Sequence, residues 1–206
     1  GTVALASGPF MSTAVNMDVK VYGQGSHGPM PHLSVDPVVL ASSIVMRLQT
    51  VISRELSPSE FGVLTVGAIN AGSKANIIPF EASLKINVRA YSEQVRDKIT
   101  SAIERIVNAE CQVAGSPKLA EFSYHDSYPL TSNDETTTAR LKEAFISHFG
   151  AGRLLDADPL TASEDFSTIA RAFGVPYCFW VFSGREEGKD VPNHSPHFAP
   201  LLQPTL

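Results

Sequence analysis

Alternation of apolar and polar residues marks two long stretches of the chain, 14–22 and 80–88. A period of two is typical of a strand with one buried face, so both stretches are predicted to be strands. Runs rich in β-branched or aromatic residues at 61–69 and 119–124 predict two more strands. In the first stretch every second residue is apolar: Val15, Met17, Val19 and Val21.

Apolar residues also recur at helical spacing in two segments. The first segment follows Asp36-Pro37, an N-cap and first-turn pair, and ends at Ser57-Pro58. The second segment begins after Ser92 and ends at Gly115, a residue type that commonly terminates helices. The order strand-helix-strand-strand-helix-strand predicts an α+β, ferredoxin-like βαββαβ domain over 13–126, with both helices on one face of its sheet.

After residue 126 the pattern changes to shorter elements. Helices are predicted over about 134–149 and 164–173, the second capped by Ser163, and a buried strand over 175–182. One apolar strand and two helices do not close a hydrophobic core without further strands. We therefore expect this segment to need a sheet that lies outside the chain.

Composition and charge exclude several classes of protein. The 206 residues are 43% hydrophobic and 18% charged, which is typical of a folded globular chain. The net charge of -5 argues against a nucleic-acid partner, and no apolar run reaches the length that spans a membrane. The two cysteines, Cys111 and Cys178, predict a reducing, cytoplasmic compartment. Both ends are expected to be cuts through a longer protein.

Four residues stand out as candidates for chemistry. His27 lies in a Gly-rich loop, where its imidazole could donate to an oxyanion, although the loop by itself favours a surface hairpin with incidental histidines. Asn76 and Arg89 could hold a carboxylate, or could be a turn residue and a surface ion-pair partner. His194 precedes His197 by three residues, which allows metal ligation or two solvated side chains.

Taken in order, these motifs resemble the C-terminal half of an M20 metallopeptidase. The similarity is to the amidohydrolase branch, which includes hippurate hydrolases and N-acyl-amino-acid amidohydrolases, and it covers nearly the whole chain. The matching segments are Gly23-Gln24-Gly25-Ser26-His27-Gly28, Asp36-Pro37, Asn76-Ile77-Ile78-Pro79, Val88-Arg89, Ser163-Glu164-Asp165-Phe166 and His194-Ser195-Pro196-His197-Phe198.

The resemblance implies a role for each candidate residue. His27 matches the lid histidine that polarises the scissile carbonyl, and Asn76 and Arg89 match lid positions associated with substrate binding. His194 matches a metal-ligand histidine. The implied organisation is a linker at 1–12, a lid and dimerisation domain at 13–126, and an incomplete C-terminal portion of an α/β zinc-peptidase-like catalytic domain at 127–206.

The resemblance also implies cofactors and partners. The intact enzyme would hold two divalent metal ions (Zn, Mn, Co or Ni), form a homodimer through the lid, and hydrolyse the amide bond of small N-acyl amino acids or peptides. The family's Cys-x-His pair and paired glutamates precede the lid and are not in this chain, so the chain alone is expected to be inactive. The alternatives are a non-catalytic dimerisation or substrate-binding module, and a related carboxypeptidase or diaminopimelate-pathway desuccinylase.

Overall fold

The computed structural model describes residues 1–184, 191 and 195–198. The chain forms two units. The flanking unit consists of Gly1–Met11 and Thr131–Leu206, and the central unit consists of Ser12–Leu130. The central unit is therefore inserted in the sequence of the flanking unit.

Strands and helices of both units are numbered in chain order. The strands are β1 (Thr2–Leu5), β2 (Gly8–Met11), β3 (Thr13–Tyr22), β4 (Ser26–His27), β5 (Gly62–Ala71), β6 (Ile77–Ile78), β7 (Glu81–Ala90), β8 (Glu121–Tyr128), β9 (Thr131–Asn133), β10 (Leu154–Asp156) and β11 (Val181–Ser183). The helices are α1 (Pro37–Thr50), α2 (Glu93–Ala114), α3 (Glu135–Phe149) and α4 (Ser167–Phe173).

An antiparallel sheet of four strands, in the order β5-β7-β3-β8, forms the base of the central unit. β3 and β7 pair along ten residues, from Thr13 opposite Ala90 to Tyr22 opposite Glu81. The alternation seen in the sequence becomes a two-faced sheet: odd positions of β3 and even positions of β7 are buried against the helices. All four strands and both helices predicted within 13–126 are present.

Both helices begin where their capping residues predict, and α2 also ends as predicted, whereas α1 ends at Thr50 and only a π-helical turn, Val51–Glu55, continues toward Ser57-Pro58. Asp36 accepts a hydrogen bond from the Val38 amide at 2.8 Å at the start of α1, and Ser92 accepts one from Val95 at the start of α2. α2 ends at Gly115 in the left-handed conformation, with φ of 71°. The helices bury one apolar face each against the sheet, and their most deeply buried residues are Leu40, Ala41, Ile44, Leu48, Ile99, Ile103 and Val107.

The flanking unit contains a three-stranded sheet in the order β10-β1-β11 and a separate β2–β9 pair. Residues 1–12, which the sequence predicts as a linker, thus contribute two strands. β1 is buried at Val3 and Leu5 and pairs parallel with β10 and antiparallel with β11. Part of the sheet that 131–184 requires is therefore supplied by residues at the start of this chain.

The apolar run 175–182 is predicted to be a buried strand, and this is wrong for most of it: no residue of the run is buried, and Val175, Trp180 and Phe182 are exposed. Only Val181–Ser183 is a strand. The Phe179 amide donates instead to the side-chain oxygen of Asn133 at 2.6 Å, and the Tyr177 carbonyl accepts from the amide of Asp134. Because side-chain and cap groups take these backbone bonds, residues 177–179 need no neighbouring strand.

Mixed α/β architecture with several separate sheets is the fold class that these elements define. Within the part of the chain that the structure describes, no helix is long and apolar enough to cross a membrane.

Candidate functional site

His27 and Asn76 lie side by side on a short antiparallel ribbon in the central unit. β4 and β6 pair through Ser26 opposite Ile78 and His27 opposite Ile77. The Gly28 amide then donates to the Asn76 carbonyl at 2.9 Å, which extends the pairing by one residue. Two residues that are 49 positions apart in sequence are thereby adjacent.

Close backbone approaches explain why the loop that carries His27 is rich in glycine. The Gly23 amide donates to the Phe80 carbonyl at 2.8 Å, and Gln24 and Val35 exchange two backbone hydrogen bonds at 2.9 and 3.1 Å. A Cβ on Gly23 would lie 2.2 Å from the Val35 carbonyl oxygen, a distance that no side chain can adopt. Gly23 is therefore required where β3 leads into the loop.

The backbone around His27 is fixed by a local turn, and its side chain is exposed. The Met30 amide donates to the His27 carbonyl at 2.8 Å, and the Ser26 hydroxyl donates to the Met30 carbonyl at 3.2 Å. An exposed imidazole on a fixed backbone can donate a hydrogen bond to a carbonyl oxygen or an anion that approaches it.

Arg89 lies at the other end of the sheet from His27 and Asn76. It is eight residues beyond Glu81 on β7, which corresponds to about 27 Å of extended strand. Its Nε donates to Asn87 Oδ1 at 3.1 Å, which orients the guanidinium. Within one central unit, the structure brings together two of the three predicted lid residues and leaves Arg89 apart from them.

A series of hydrogen-bonded polar side chains covers the sheet face opposite the helices. The sequence did not predict a site here. Asn87 Nδ2 donates to Asn16 at 2.8 Å, and Asn16 Nδ2 donates to Asp126 at 2.9 Å. His125 links Asp126 at 2.9 Å with Asp18 at 3.3 Å. We call these residues the open-face network. Most of them occupy outward positions of strands, which look like any solvated sheet face in sequence, whereas Asp126 has a positive φ of 48° at the point where the β3–β8 register shifts.

The carboxylates around His125 change its protonation. Hydrogen bonds to Asp126 and then to Asp18 raise the pKa of His125 above its ordinary value of 6.5. The same contacts lower the pKa of Asp18 and of Asp126. The ion pairs therefore stabilise the fold below about pH 6.5 and weaken as the pH rises through the raised pKa of His125. They also weaken in acid, as the pH falls through the lowered pKa values of the two aspartates.

We expect Asp126→Asn to lower the pKa of His125, because it replaces the carboxylate that contributes most to the raised value. An NMR titration of the imidazole resonances measures the change. Asp97→Asn, at an exposed carboxylate on α2 that pairs with Arg96, is the matched control and should leave His125 unaffected. An unchanged pKa in Asp126→Asn would show that the contact is absent in solution.

A metal site is not assembled by the residues that the structure describes. Among 1–184, 191 and 195–198, no three His, Cys, Asp or Glu side chains lie close enough together to hold an ion. His194, the predicted ligand, lies outside the described residues, whereas His197 is described and exposed. The described residues therefore do not fit a catalytic metal centre, which needs three or more ligands.

Similarity to known proteins identifies the class to which this fold belongs. The sequence profile of a peptidase dimerisation domain of the M20 type matches residues 12–114, half of the chain. The chain belongs to the M20 peptidase family, as the loop motifs indicated.

Individual relatives extend the match beyond the dimerisation domain. The chain is 34% identical over 185 residues to N-acetyl-L-cysteine deacetylase of Bacillus subtilis, which covers 89% of this chain and 43% of the relative. It is 29% identical over 198 residues to thermostable carboxypeptidase 2 of Saccharolobus solfataricus, which covers 96% of this chain and 49% of the relative. The chain thus spans about half the length of the curated relatives it matches.

A solved structure shows the same arrangement of secondary structure. A protein from methicillin-resistant Staphylococcus aureus, named as an aminohydrolase, superposes with a TM-score of 0.85 at 28% identity. The superposition covers 98% of this chain and 51% of that protein. The shared fold therefore extends over both units of this chain.

Proposed function

We propose that the full-length protein is a metal-dependent amidohydrolase that cleaves the amide bond of N-acyl amino acids or small peptides. The observation that carries the proposal is similarity along most of this chain to a deacetylase and a carboxypeptidase, named above, both of which act on amide bonds. Two further relatives are N-acetyldiaminopimelate deacetylases, 30% and 31% identical to this chain. N-acyl amino acids are therefore the favoured substrate class.

The lid role of 13–126 has support from local geometry. The strand order β5-β7-β3-β8 with both helices on one face is the arrangement expected of a ferredoxin-like βαββαβ domain. The β4–β6 ribbon holds His27 and Asn76 next to each other and exposed. In this proposal His27 donates to the scissile carbonyl oxygen, where negative charge develops, and Asn76 binds the carboxylate of the amino acid.

The position of Arg89 favours a homodimer as the working unit. A small N-acyl amino acid cannot contact His27 and Arg89 of one chain, because about 27 Å of strand β7 separates them. A site that uses both residues takes them from two copies. The family's dimerisation domain, matched here over 12–114, supports association of two such chains.

We propose that the reaction depends on metal ions that the whole protein binds. A structural relative from Bacillus subtilis is a dinuclear metal-binding peptidase of the M20 family. It is 21% identical to this chain and superposes with a TM-score of 0.65, and the superposition covers 87% of this chain and 43% of that protein. By analogy, two divalent ions (Zn, Mn, Co or Ni) would activate the attacking water. His194 is the residue of this chain that we propose as a ligand, and the remaining ligands would come from residues outside it.

The two units of this chain are consistent with a separate lid domain and catalytic domain. We propose 13–126 as the lid and dimerisation domain and 127–206, together with the strands of 1–12, as a portion of the catalytic domain. Large apolar side chains of the flanking unit are strongly exposed, including Ile169 and Phe173 on α4 at 71% and 78%. Such exposure is typical of a surface that another part of a protein covers.

Removal of metal ions tests the proposed chemistry. We expect chelation of divalent ions to abolish hydrolysis of an N-acyl amino acid by the full-length protein, and Zn, Mn, Co or Ni to restore it. The 206-residue chain alone should show no turnover, and the full-length His194→Ala variant should bind less metal by elemental analysis. Full activity after complete chelation would contradict a metal-dependent reaction.

A non-catalytic dimerisation or substrate-binding module is the second candidate. The finding that favours it is the absence of a three-ligand group among the described residues. If the full-length protein binds N-acyl amino acids but does not hydrolyse them at any metal loading, this second function replaces the first.

A further inference from the structure

Arg89, a proposed substrate-binding residue, lies at one end of a series of hydrogen bonds within the open-face network. Its Nε donates to Asn87 Oδ1 at 3.1 Å, and Asn87 Nδ2 donates to Asn16 Oδ1 at 2.8 Å. Asn16 Nδ2 then donates to Asp126 Oδ2 at 2.9 Å. Every donor in this series points away from Arg89, and every acceptor points toward it.

Strand register brings the two amides and the guanidinium together. Asn87 and Arg89 are two residues apart on β7, so their side chains project from the same face of the sheet. Asn16 is directly opposite Asn87 in the β3–β7 pair, where cross-strand side chains are nearest neighbours. All three residues are half-buried, so water competes only in part for the hydrogen bonds among them.

A local irregularity of β8 supplies the carboxylate at the far end of the series. The β3–β8 register shifts between Ala14 and Asn16, and Asp126 has a positive φ of 48° at this point. Irregularities of this kind change the direction of a side chain. The backbone partner of Asn16 is His125, but its side-chain amide contacts Asp126.

The carboxylate of Asp126 fixes the orientation of both amides. An ionised carboxylate only accepts hydrogen bonds, so it binds Nδ2 of Asn16, and Oδ1 of Asn16 then faces Asn87. Asn87 in turn directs Nδ2 toward Asn16 and Oδ1 toward Arg89. The reversed amide would present N–H groups to a guanidinium, which has donors only. Asp126 thus determines, through two side chains, which atom Arg89 contacts.

We propose that Asn87, Asn16 and Asp126 are positioning residues that orient Arg89 for end-on binding of the substrate carboxylate through Nη1 and Nη2. This proposal rests on the amidohydrolase function and on the role of Arg89 proposed above. Because Asn87 occupies Nε, the bidentate contact is made by the two terminal nitrogens. A guanidinium that is oriented before the substrate arrives loses less side-chain entropy on binding. Breaking the series therefore weakens the binding of substrate and transition state alike.

Steady-state kinetics of the full-length, metal-loaded protein with one N-acyl amino acid test this role. We expect Asn87→Ala to raise KM about three- to tenfold, the scale of one hydrogen bond, and to change kcat by less than about twofold. Asn16→Leu removes the acceptor for Asn87 Nδ2 and should raise KM in the same way. Ser83→Ala, at another half-buried outward position of β7, is the matched control and should leave KM unchanged.

Exchanging the amide and the carboxylate separates positioning from general damage. In the double variant Asn16→Asp/Asp126→Asn, the carboxylate at position 16 accepts from Asn87 Nδ2 and from the amide at position 126. Asn87 Oδ1 then still faces Arg89, and asparagine tolerates the positive φ at position 126. KM should stay within about twofold of the unmodified value, because each hydrogen bond of the series is kept. A rise in KM as large as that in Asn16→Leu would overturn the proposal.

Hydrogen exchange measures the contact without turnover. In NMR spectra of the nitrogen-labelled protein, the Nε–H signal of Arg89, identified by its loss in Arg89→Ala, should exchange faster with water in Asn87→Ala. Unchanged exchange, unchanged KM, or a fall in kcat with KM unchanged would each overturn the positioning role. If the unmodified protein hydrolyses no N-acyl amino acid, the proposed function is wrong. Calorimetric binding of that compound then tests the role independently: weaker binding in Asn87→Ala supports it, and equal or absent binding overturns it.

Discussion

Replacing His27 with alanine in the full-length, metal-loaded protein is expected to lower kcat for an N-acyl amino acid by about 10²- to 10³-fold. The imidazole is exposed on a backbone fixed by the β4–β6 pair, so it is positioned to donate to an oxyanion before the substrate arrives. Since this hydrogen bond strengthens as charge develops in the transition state, kcat and kcat/KM should fall together. Steady-state kinetics with one N-acyl amino acid provides the measurement.

His32 provides a matched control for that substitution. It is an exposed histidine of the same loop, five residues further along, and lies in the turn formed by Pro31–Leu33. His32→Ala should retain activity within about twofold, because single surface substitutions have small effects. Loss of activity in His32→Ala equal to that in His27→Ala would indicate damage to the loop and would count against a catalytic role for His27.

Mixing two inactive variants tests whether each site takes residues from both chains of a dimer. If His27 and Arg89 act on one substrate from different chains, a hybrid of His27→Ala and Arg89→Ala holds one intact site. An equal mixture, dissociated and reassociated, should recover about a quarter of the unmodified activity, because half of its dimers are hybrids with one working site each. No recovery from a mixture shown to contain hybrids would mean that one chain supplies both residues to a site, or that the two residues have unrelated roles.

A second large effect is expected from Gly23→Ala, which should lower the free energy of unfolding by about 2 kcal/mol. The new methyl group would lie 2.2 Å from the Val35 carbonyl oxygen and 2.6 Å from Cδ of Pro37. Neither atom can move easily. The Val35 backbone both donates a hydrogen bond to Gln24 and accepts one from it, and Pro37 is the first residue of α1. Urea denaturation of the 206-residue chain measures the loss.

Gly67→Ala is the corresponding control, at a glycine of strand β5. There the new methyl group would meet only the Lys85 carbonyl oxygen at 3.9 Å, an ordinary contact. Because alanine reduces the conformational entropy of the unfolded chain, we expect no loss, or a gain of up to about 1 kcal/mol. Equal destabilisation in the two variants would show that close approach at Gly23 is not the cause.

Much of the central unit could be predicted from sequence because its signals are local and repeated. The alternation in β3 and β7 extends over ten residues each, and Ser92 and Gly115 mark both ends of α2. Each of these sequence signals depends only on residues that are close together along the chain, and several signals agree for each strand or helix. The same agreement among levels favours a single folded structure.

Other features depend on contacts between distant residues and could not be predicted in this way. The β4–β6 ribbon pairs only two residues on each strand, which is too short for any periodicity to show. The run 175–182 is apolar enough to indicate burial, but nothing within it reveals that Asn133 binds its backbone at Phe179. The ion pairs of His125 could not be predicted either, because one of its two partners, Asp18, lies on another strand.

Strand β7 limits how the proposed site could evolve. Its outward positions lead from Glu81 to Arg89, and the even positions between them are buried against the helices. Inserting or deleting one residue would change the separation of Arg89 from the His27 ribbon by about 3.4 Å and would also move core residues to the solvent face. Accommodation of longer or shorter substrates is therefore confined to the loops at the two ends of the sheet. Directed evolution of substrate selectivity should begin with libraries in 23–35 and 72–80.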